Sequence, residues 1–368
     1  MIKFTTEPEK LNLHFFAVPP KSNGPFQKAL DLFDYKCGNY NWNTPEPKIL
    51  RNILITPINQ GKRSRFLPYI RKMKRQGIVE KVIFDSGGFS LMTGTLAQKG
   101  IHSVEDLVWR DKILYRDNVD FVDGFMMLDD PPTLNDCSDM IEKKIQGTIE
   151  TTLNFFDQMN NEVRAKCIPI FHCPRDKYVP MMKEAYEPVI KESGYVAFSA
   201  SSMTAINASR KLADGSSLIL KGLVDDLKEV HCLGIVSPQA AFLLSLMGVR
   251  SYDGTSATLA AGNGEVYLPF HSSIPMTDKD PKSYRTPSQQ KWDIMKIESG
   301  HHCPFCESVN EMVKNRDYRW LHNLVVCDQL PYFYKGDQLK KFESFQKTKK
   351  YINIICNSLS KKEQMQLF

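Results

Sequence analysis

Val82-Ile83-Phe84-Asp85-Ser86-Gly87-Gly88-Phe89 is an apolar run that ends in a carboxylate and then in two glycines. Three apolar residues leading into an acid read as a buried parallel strand that delivers Asp85 to the mouth of a barrel. Gly87 and Gly88 let the backbone turn there, and they let a planar ligand approach without meeting a Cβ. The plainer reading is a strand ending in a Gly-Gly turn, with Asp85 as a helix N-cap. The other strand ends decide between them.

Outward from this stretch, strand-like and helix-like segments alternate. Strands are expected at 52–55, 82–85, 121–129, 166–172, 195–199, 232–235 and 249–253, with helical stretches between them and a possible eighth strand at Val266–Leu268. This α/β pattern predicts a (β/α)8 TIM-like barrel with a small zinc-binding subdomain near the C-terminus. An open doubly wound sheet is the structural alternative. Residues 1–50 read as an irregular edge segment with an apolar run at Leu13–Val18 and a helix near Phe26–Tyr35. Residues 51–300 form the barrel, 301–327 the metal subdomain, and 328–368 a basic helix and tail.

Several strands end alike. Asp129 closes Phe125-Met126-Met127-Leu128-Asp129, Asp253 closes Val249-Arg250-Ser251-Tyr252-Asp253, and His172 closes Ile168-Pro169-Ile170-Phe171-His172. In a barrel these carboxyl ends face one side, so Asp85, Asp129, His172 and Asp253 would converge. Asp130, adjacent to Asp129, should point to the opposite face. Grouped carboxylates raise one another's pKa and can divide into nucleophile, acid/base and hydrogen-bond acceptor. That set suits displacement at an electron-poor carbon such as a sugar C1′. A divalent metal held by the acids is the competing chemistry.

Composition sets the surroundings. The 368 residues are 42% hydrophobic and 24% charged, and 48 Lys and Arg against 42 Asp and Glu leave a net charge of +6. The N-terminus lacks the apolar core of a signal peptide and no run approaches membrane-spanning length, so a cytoplasmic protein with no membrane partner is expected. Nine cysteines, scattered except for Cys303 and Cys306, fit a reducing compartment. Lys62, Arg63, Arg65, Arg71, Lys72, Lys74 and Arg75 form a stretch without an acid, and a second basic stretch runs from Lys335 to Lys362. Each alone reads as a solvated face, and together they suggest a phosphate-binding surface. His301-x-Cys303-x2-Cys306, with His322 fifteen residues on, has the spacing of a tetrahedral structural zinc site; buried free thiols beside surface histidines are the alternative.

These motifs also occur in order in a known family. Asp85-Ser86-Gly87-Gly88-Phe89 resembles the base-binding signature of the queuine and archaeosine tRNA-guanine transglycosylases. Met127-Leu128-Asp129, Leu233-Gly234-Ile235 with Tyr252-Asp253, Ala260–Gly264 and His322-Asn323-Leu324 resemble its later motifs, over residues 80–325. The resemblance implies that Asp253 attacks C1′ of a guanosine and forms a covalent ester. It implies Asp85 as acid/base, and Asp129 with the Ser86–Phe89 loop holding the base beside Ser199 and Ala200. His172 stands where the family usually has Gln. Ser90 replaces the Gln after Gly-Gly-Phe, and Asp253–Thr258 lacks the Arg of the family's nucleophile loop. With those departures the chain is more similar to the 7-deazaguanine transglycosylases of phages and bacteria that act on DNA. A 7-deazaguanine base and DNA are thus the implied partners, with tRNA as the second polymer. A non-catalytic nucleic-acid-binding subunit and a base-releasing glycosidase are the remaining readings. In the metal motif, His301 would replace the family's first Cys, with His302 as the alternative.

The final residues, Gln364-Met365-Gln366-Leu367-Phe368, resemble the peptide by which bacterial DNA enzymes dock on the replication sliding clamp. The alternative is an apolar end tucked against the protein's own surface.

Overall fold

The computed structural model describes residues 13–17, 23–59, 65–132, 136–172, 177–199, 219–220, 222–227, 229–234, 237–271, 273–277 and 286–333. Lys62, Arg63, Ala200, the basic tail and Gln364–Phe368 lie outside the described residues.

Eleven strands are present among the described residues: β1 (Leu13–Ala17), β2 (Asn52–Ile55), β3 (Lys81–Phe84), β4 (Gly124–Met126), β5 (Cys167–Ile168), β6 (Ile170–Phe171), β7 (Val196–Phe198), β8 (Val230–Cys232), β9 (Ser251–Gly254), β10 (Glu265–Val266) and β11 (Ile274–Pro275). Nine of them form one sheet in the order β5-β4-β3-β2-β1-β9-β8-β7-β6. Every described ladder in it is parallel. Its two end strands are consecutive in the chain, separated by Pro169 alone. Proline has no N–H for the ladder, yet the Pro169 carbonyl accepts from Ala197 N at 2.9 Å, while Met127 N donates to Ile168 O at 2.9 Å. The strand order therefore returns on itself, as in a barrel-like parallel sheet and unlike an open doubly wound one.

Two expectations need correction. Val266–Leu268 supplies no strand of this sheet, because Glu265–Val266 pairs antiparallel with Ile274–Pro275 in a separate ribbon. The further strand is β1, from the segment expected to be irregular, paired in register Leu13↔Ser251 to Phe16↔Gly254 with β9. Five residues with a polar His14 among them give a weak periodic signal, and the pairing that fixes them lies far along the chain. Strand β8 also starts earlier than expected, at Val230, since His231 is wholly buried in it.

The chain divides into two compact units. Among the described residues one draws on 52–234 and the other on 13–16, 23–51 and 237–333. The first is organised on β3. Val82, Ile83 and Phe84 are buried, and Phe84 meets Phe121 and Phe125 edge-on while Tyr115 stacks on Phe125 at 4.4 Å. Each such side chain contributes roughly 1.5–3 kcal/mol by leaving water. The crossover helix Val104–Asn118 starts where Ser103 accepts a capping bond from Asp106 N at 3.2 Å. In the second unit the helix Arg316–Phe333 runs unbroken through His322 and buries Leu321, Leu324, Val325 and Val326.

Candidate active site and metal centre

The segment following β3 is built around Asp129. Its Oδ2 lies 2.9 Å from His172 Nε2, and its Oδ1 accepts from Ser86 Oγ at 3.2 Å. Ser86 Oγ in turn accepts from Gly88 N at 3.2 Å. His172 and Ser86 are fully buried, so Asp129 is held from two sides by groups that cannot swing into solvent. The glycines have separate reasons to be there. Gly87 has φ +83, a conformation costly for other residues, and a Cβ on Gly88 would collide with the carboxylate and the carbonyl oxygen of Asp129. Phe89 continues into the short helix Gly88–Met92.

Asp85 follows β3, its N–H donating to Ile55 O at 2.8 Å. Its Oδ2 accepts from Thr56 Oγ1 at 2.7 Å. Thr56 is a site residue that the sequence reading missed, because nothing marks a threonine after an apolar strand as an acid's partner. Asp130 N–H donates to Thr148 Oγ1 at 3.1 Å, and the Asp130 carboxylate lies 3.9 Å from Lys144. Burial raises its pKa, and Lys144 acts against that. Ser199 is buried at the end of β7, its N–H donating to Phe171 O at 3.0 Å.

A Gly88→Ala chain should lose stability, because the added methyl must displace both the carboxylate and the backbone carbonyl oxygen of Asp129. A thermal melt checks this, and an unchanged melting temperature would contradict it.

The basic stretch falls along the helix Phe66–Arg75, with Arg65 just before it. Arg71 pairs with Asp120 at 2.9 Å, donates to Asp117 O at 3.1 Å and lies over Phe121. Lys74 pairs with Asp123, whose carboxylate also accepts from Val82 N. Those partners mark the edge at which β3 and β4 begin, opposite to the edge carrying Asp85 and Asp129. Arg71 and Lys74 thus tie the helix to the sheet, whereas Arg65, Lys72 and Arg75 are exposed.

In the other unit, Asp253 lies near the end of β9 with 5% of its surface exposed, level with Phe15 of β1. The helix Ser256–Gly262 follows at once. Asn323 ties that region together, donating to Ala257 O at 3.1 Å and Glu265 O at 3.2 Å and accepting from Tyr267 N at 2.8 Å.

His301, Cys303, Cys306 and His322 gather in the same unit, all four buried, with their ligand atoms within 4.8 Å of one another. The two sulfurs are 3.5 Å apart, and His322 Nδ1 is 3.3 Å from Cys303 Sγ. His322 Nε2 donates to Tyr267 O at 2.6 Å, leaving Nδ1 as the free lone pair aimed at the sulfurs. Neither ring nitrogen of His301 has a hydrogen-bond partner among the described residues, although the ring is 1% exposed. An orphaned buried imidazole beside two thiols fits a metal ligand. His302 is the excluded alternative, since it is exposed and stacks on Tyr40. Burial alone would raise the Cys306 thiol, but the hydrogen bond from Cys303 Sγ works against it and the thiol is held low. Burial and the Cys306 sulfur push Cys303 up. A buried cluster of this composition could hold a metal ion, and the neighbouring Cys327 is a packing thiol whose pKa burial raises.

No protein-family model matches the chain, and no curated protein matches it. Among the described residues, no helix is long and apolar enough to cross a membrane.

Proposed function

We propose that this chain exchanges guanine in a polynucleotide for a 7-deazaguanine base by double displacement, with DNA as the first choice of polymer and tRNA as the second. The observation that carries the reading is the clamp on Asp129. A carboxylate fixed by His172 and Ser86, against a glycine too crowded for any Cβ, is a preorganised acceptor for the N–H edge of a flat ligand.

The chemistry then divides among the acids. Asp253 attacks C1′ through a carboxylate oxygen; the C1′–N bond breaks and an ester forms. The leaving guanine takes a proton from the Asp85 carboxyl group, and the resulting carboxylate later removes one from the incoming base. That base attacks C1′, the ester C–O bond breaks, and Asp253 is regenerated. Thr56 holds Asp85 by donating to its Oδ2. Phosphate contact is assigned to Arg65 with Lys62 and Arg63, since Arg71 and Lys74 are engaged in ion pairs within the fold. Because the target base is normally stacked, single-stranded or locally opened polymer is the better substrate, and binding weakens steeply with salt.

The fold is assigned as a (β/α)8 barrel, with β5, Pro169 and β6 read as one strand of the nine-stranded order; such barrels are the scaffold on which strand-end acids act in many enzymes. The ion at the His2Cys2 cluster is assigned as zinc: two thiolates and two imidazoles suit it, and the absence of a carboxylate from the cluster makes it structural. The compartment is assigned as cytoplasm. Nucleoside analysis of DNA and tRNA from cells expressing the chain tests the proposal. A 7-deazaguanine nucleoside in DNA is expected; the same nucleoside in tRNA alone reverses the ranking, and none in either overturns the function.

A further inference from the structure

The two histidines of the metal cluster are not equally provided for. A neutral imidazole that gives one nitrogen to a metal carries its proton on the other, and a buried N–H needs an acceptor. His322 has one, since its Nε2 donates to Tyr267 O at 2.6 Å. His301 is 1% exposed, and neither of its nitrogens has a hydrogen-bond partner among the described residues. An acceptor in the same unit is equally unprovided. Gln329 is 3% exposed, and its Oε1 has no donor among the described residues. Its amide nitrogen is occupied, donating to Thr44 Oγ1 at 2.5 Å.

The contacts around these two side chains bring them together. The His301 ring lies edge-on to His322 with centres 4.9 Å apart, and 6.3 Å from the ring of Phe333. It therefore spans one stripe of the helix Arg316–Phe333. Gln329 falls on that stripe, two turns after His322 and one turn before Phe333. From the other side, Asn43 donates to Gly300 O at 3.3 Å, which sets the residue before Thr44 against the residue before His301. Thr44, bonded to Gln329, thus runs beside the chain that carries the ring. Burial lowers the pKa of His301, and the side chains of Cys306 and Gln329 both oppose that.

We propose that Gln329 is the outer-shell acceptor of the metal site, a positioning residue that takes the N–H of His301 on Oε1 and is itself held by Thr44. The relay Thr44–Gln329–His301 fixes which imidazole nitrogen faces the sulfurs, as Tyr267 O does for His322. It rests on the metal reading of the cluster. It also gives a buried glutamine, flanked on its helix by the buried Val326, Leu330 and Phe333, a reason to be polar.

Metal affinity of the full chain, measured by competition with a chromophoric chelator, tests this without any substrate. Gln329→Leu removes the acceptor, and zinc affinity should fall about 10–100-fold, the scale of an outer-shell partner. Gln329→Glu keeps an acceptor at the same place and should recover most of that loss. Thr44→Val frees the glutamine without touching the ring and should cost a smaller part of it. With cobalt in place of zinc, the visible bands of Gln329→Leu should differ from those of wild type, because His301 is no longer oriented. Those of Gln329→Glu should match wild type. Unchanged affinity in Gln329→Leu, or a loss there that Gln329→Glu does not recover, overturns the relay. Should Gln329→Leu fail to fold, Thr44→Val carries the test, and wild-type affinity in that chain overturns it equally. A folded wild-type chain that binds neither zinc nor cobalt removes the metal reading itself, and the relay with it.

Discussion

Replacing Cys303 by Ser, or His322 by Ala, should strip one metal ion per chain and collapse the thermal stability of the unit that holds it. Structural zinc sites of this composition contribute on the order of 10–16 kcal/mol of apparent binding energy at neutral pH, more than the net stability of most domains. Here the ligands also hold tertiary structure: His322 bonds Tyr267 O through its other nitrogen, and Trp292 Nε1 donates to Cys306 O at 2.7 Å. Losing the ion would leave two buried thiols and two buried imidazoles facing one another without compensation. Elemental analysis with a thermal melt checks both halves, and a chelator should reproduce the effect on wild type. A well-folded preparation with no metal would show that the cluster is assembled for packing alone.

The second large effect concerns the acids. Asp253→Ala should lower exchange by at least about 10⁴-fold, the scale seen when a covalent nucleophile is removed, with KM for the polymer little changed. Asp85→Asn should lose about 10²–10⁴-fold. The two failures differ in kind. Asp253→Ala should form no covalent adduct, whereas Asp85→Asn should fail at departure of the base. Both chains should melt within a few degrees of wild type, and an active Asp253→Ala chain would remove the nucleophile assignment.

The central strand and the His/Cys cluster were legible in the sequence because local signals are strongest there. Val82–Phe84 is a short apolar run closed by glycines, and it lies in β3 with all three side chains buried. Cys303-x2-Cys306 with its two histidines was legible for the same reason, since the residue types and spacing alone mark a group that could hold a metal ion. The less legible features depend on contacts distant in the chain. β1 earns its place only by pairing with β9, more than two hundred residues away, and Val266 is drawn into a ribbon by Ile274. The basic stretch misled because charge alone does not say which way a side chain points. Arg71 and Lys74 answer to Asp120 and Asp123, and those partners come from the next crossover. Thr56 carried no signal at all, being an ordinary threonine after an apolar strand.

The central claim is that a base on a polynucleotide is exchanged through a covalent ester on Asp253. Incubation of the purified protein with labelled guanine and unlabelled single-stranded DNA or tRNA tests it most directly. The account predicts label in the precipitated DNA without loss of chain length, and a denaturation-resistant protein–DNA adduct that maps to Asp253. Label in neither polymer, with no adduct from a folded, metal-loaded protein, would contradict it.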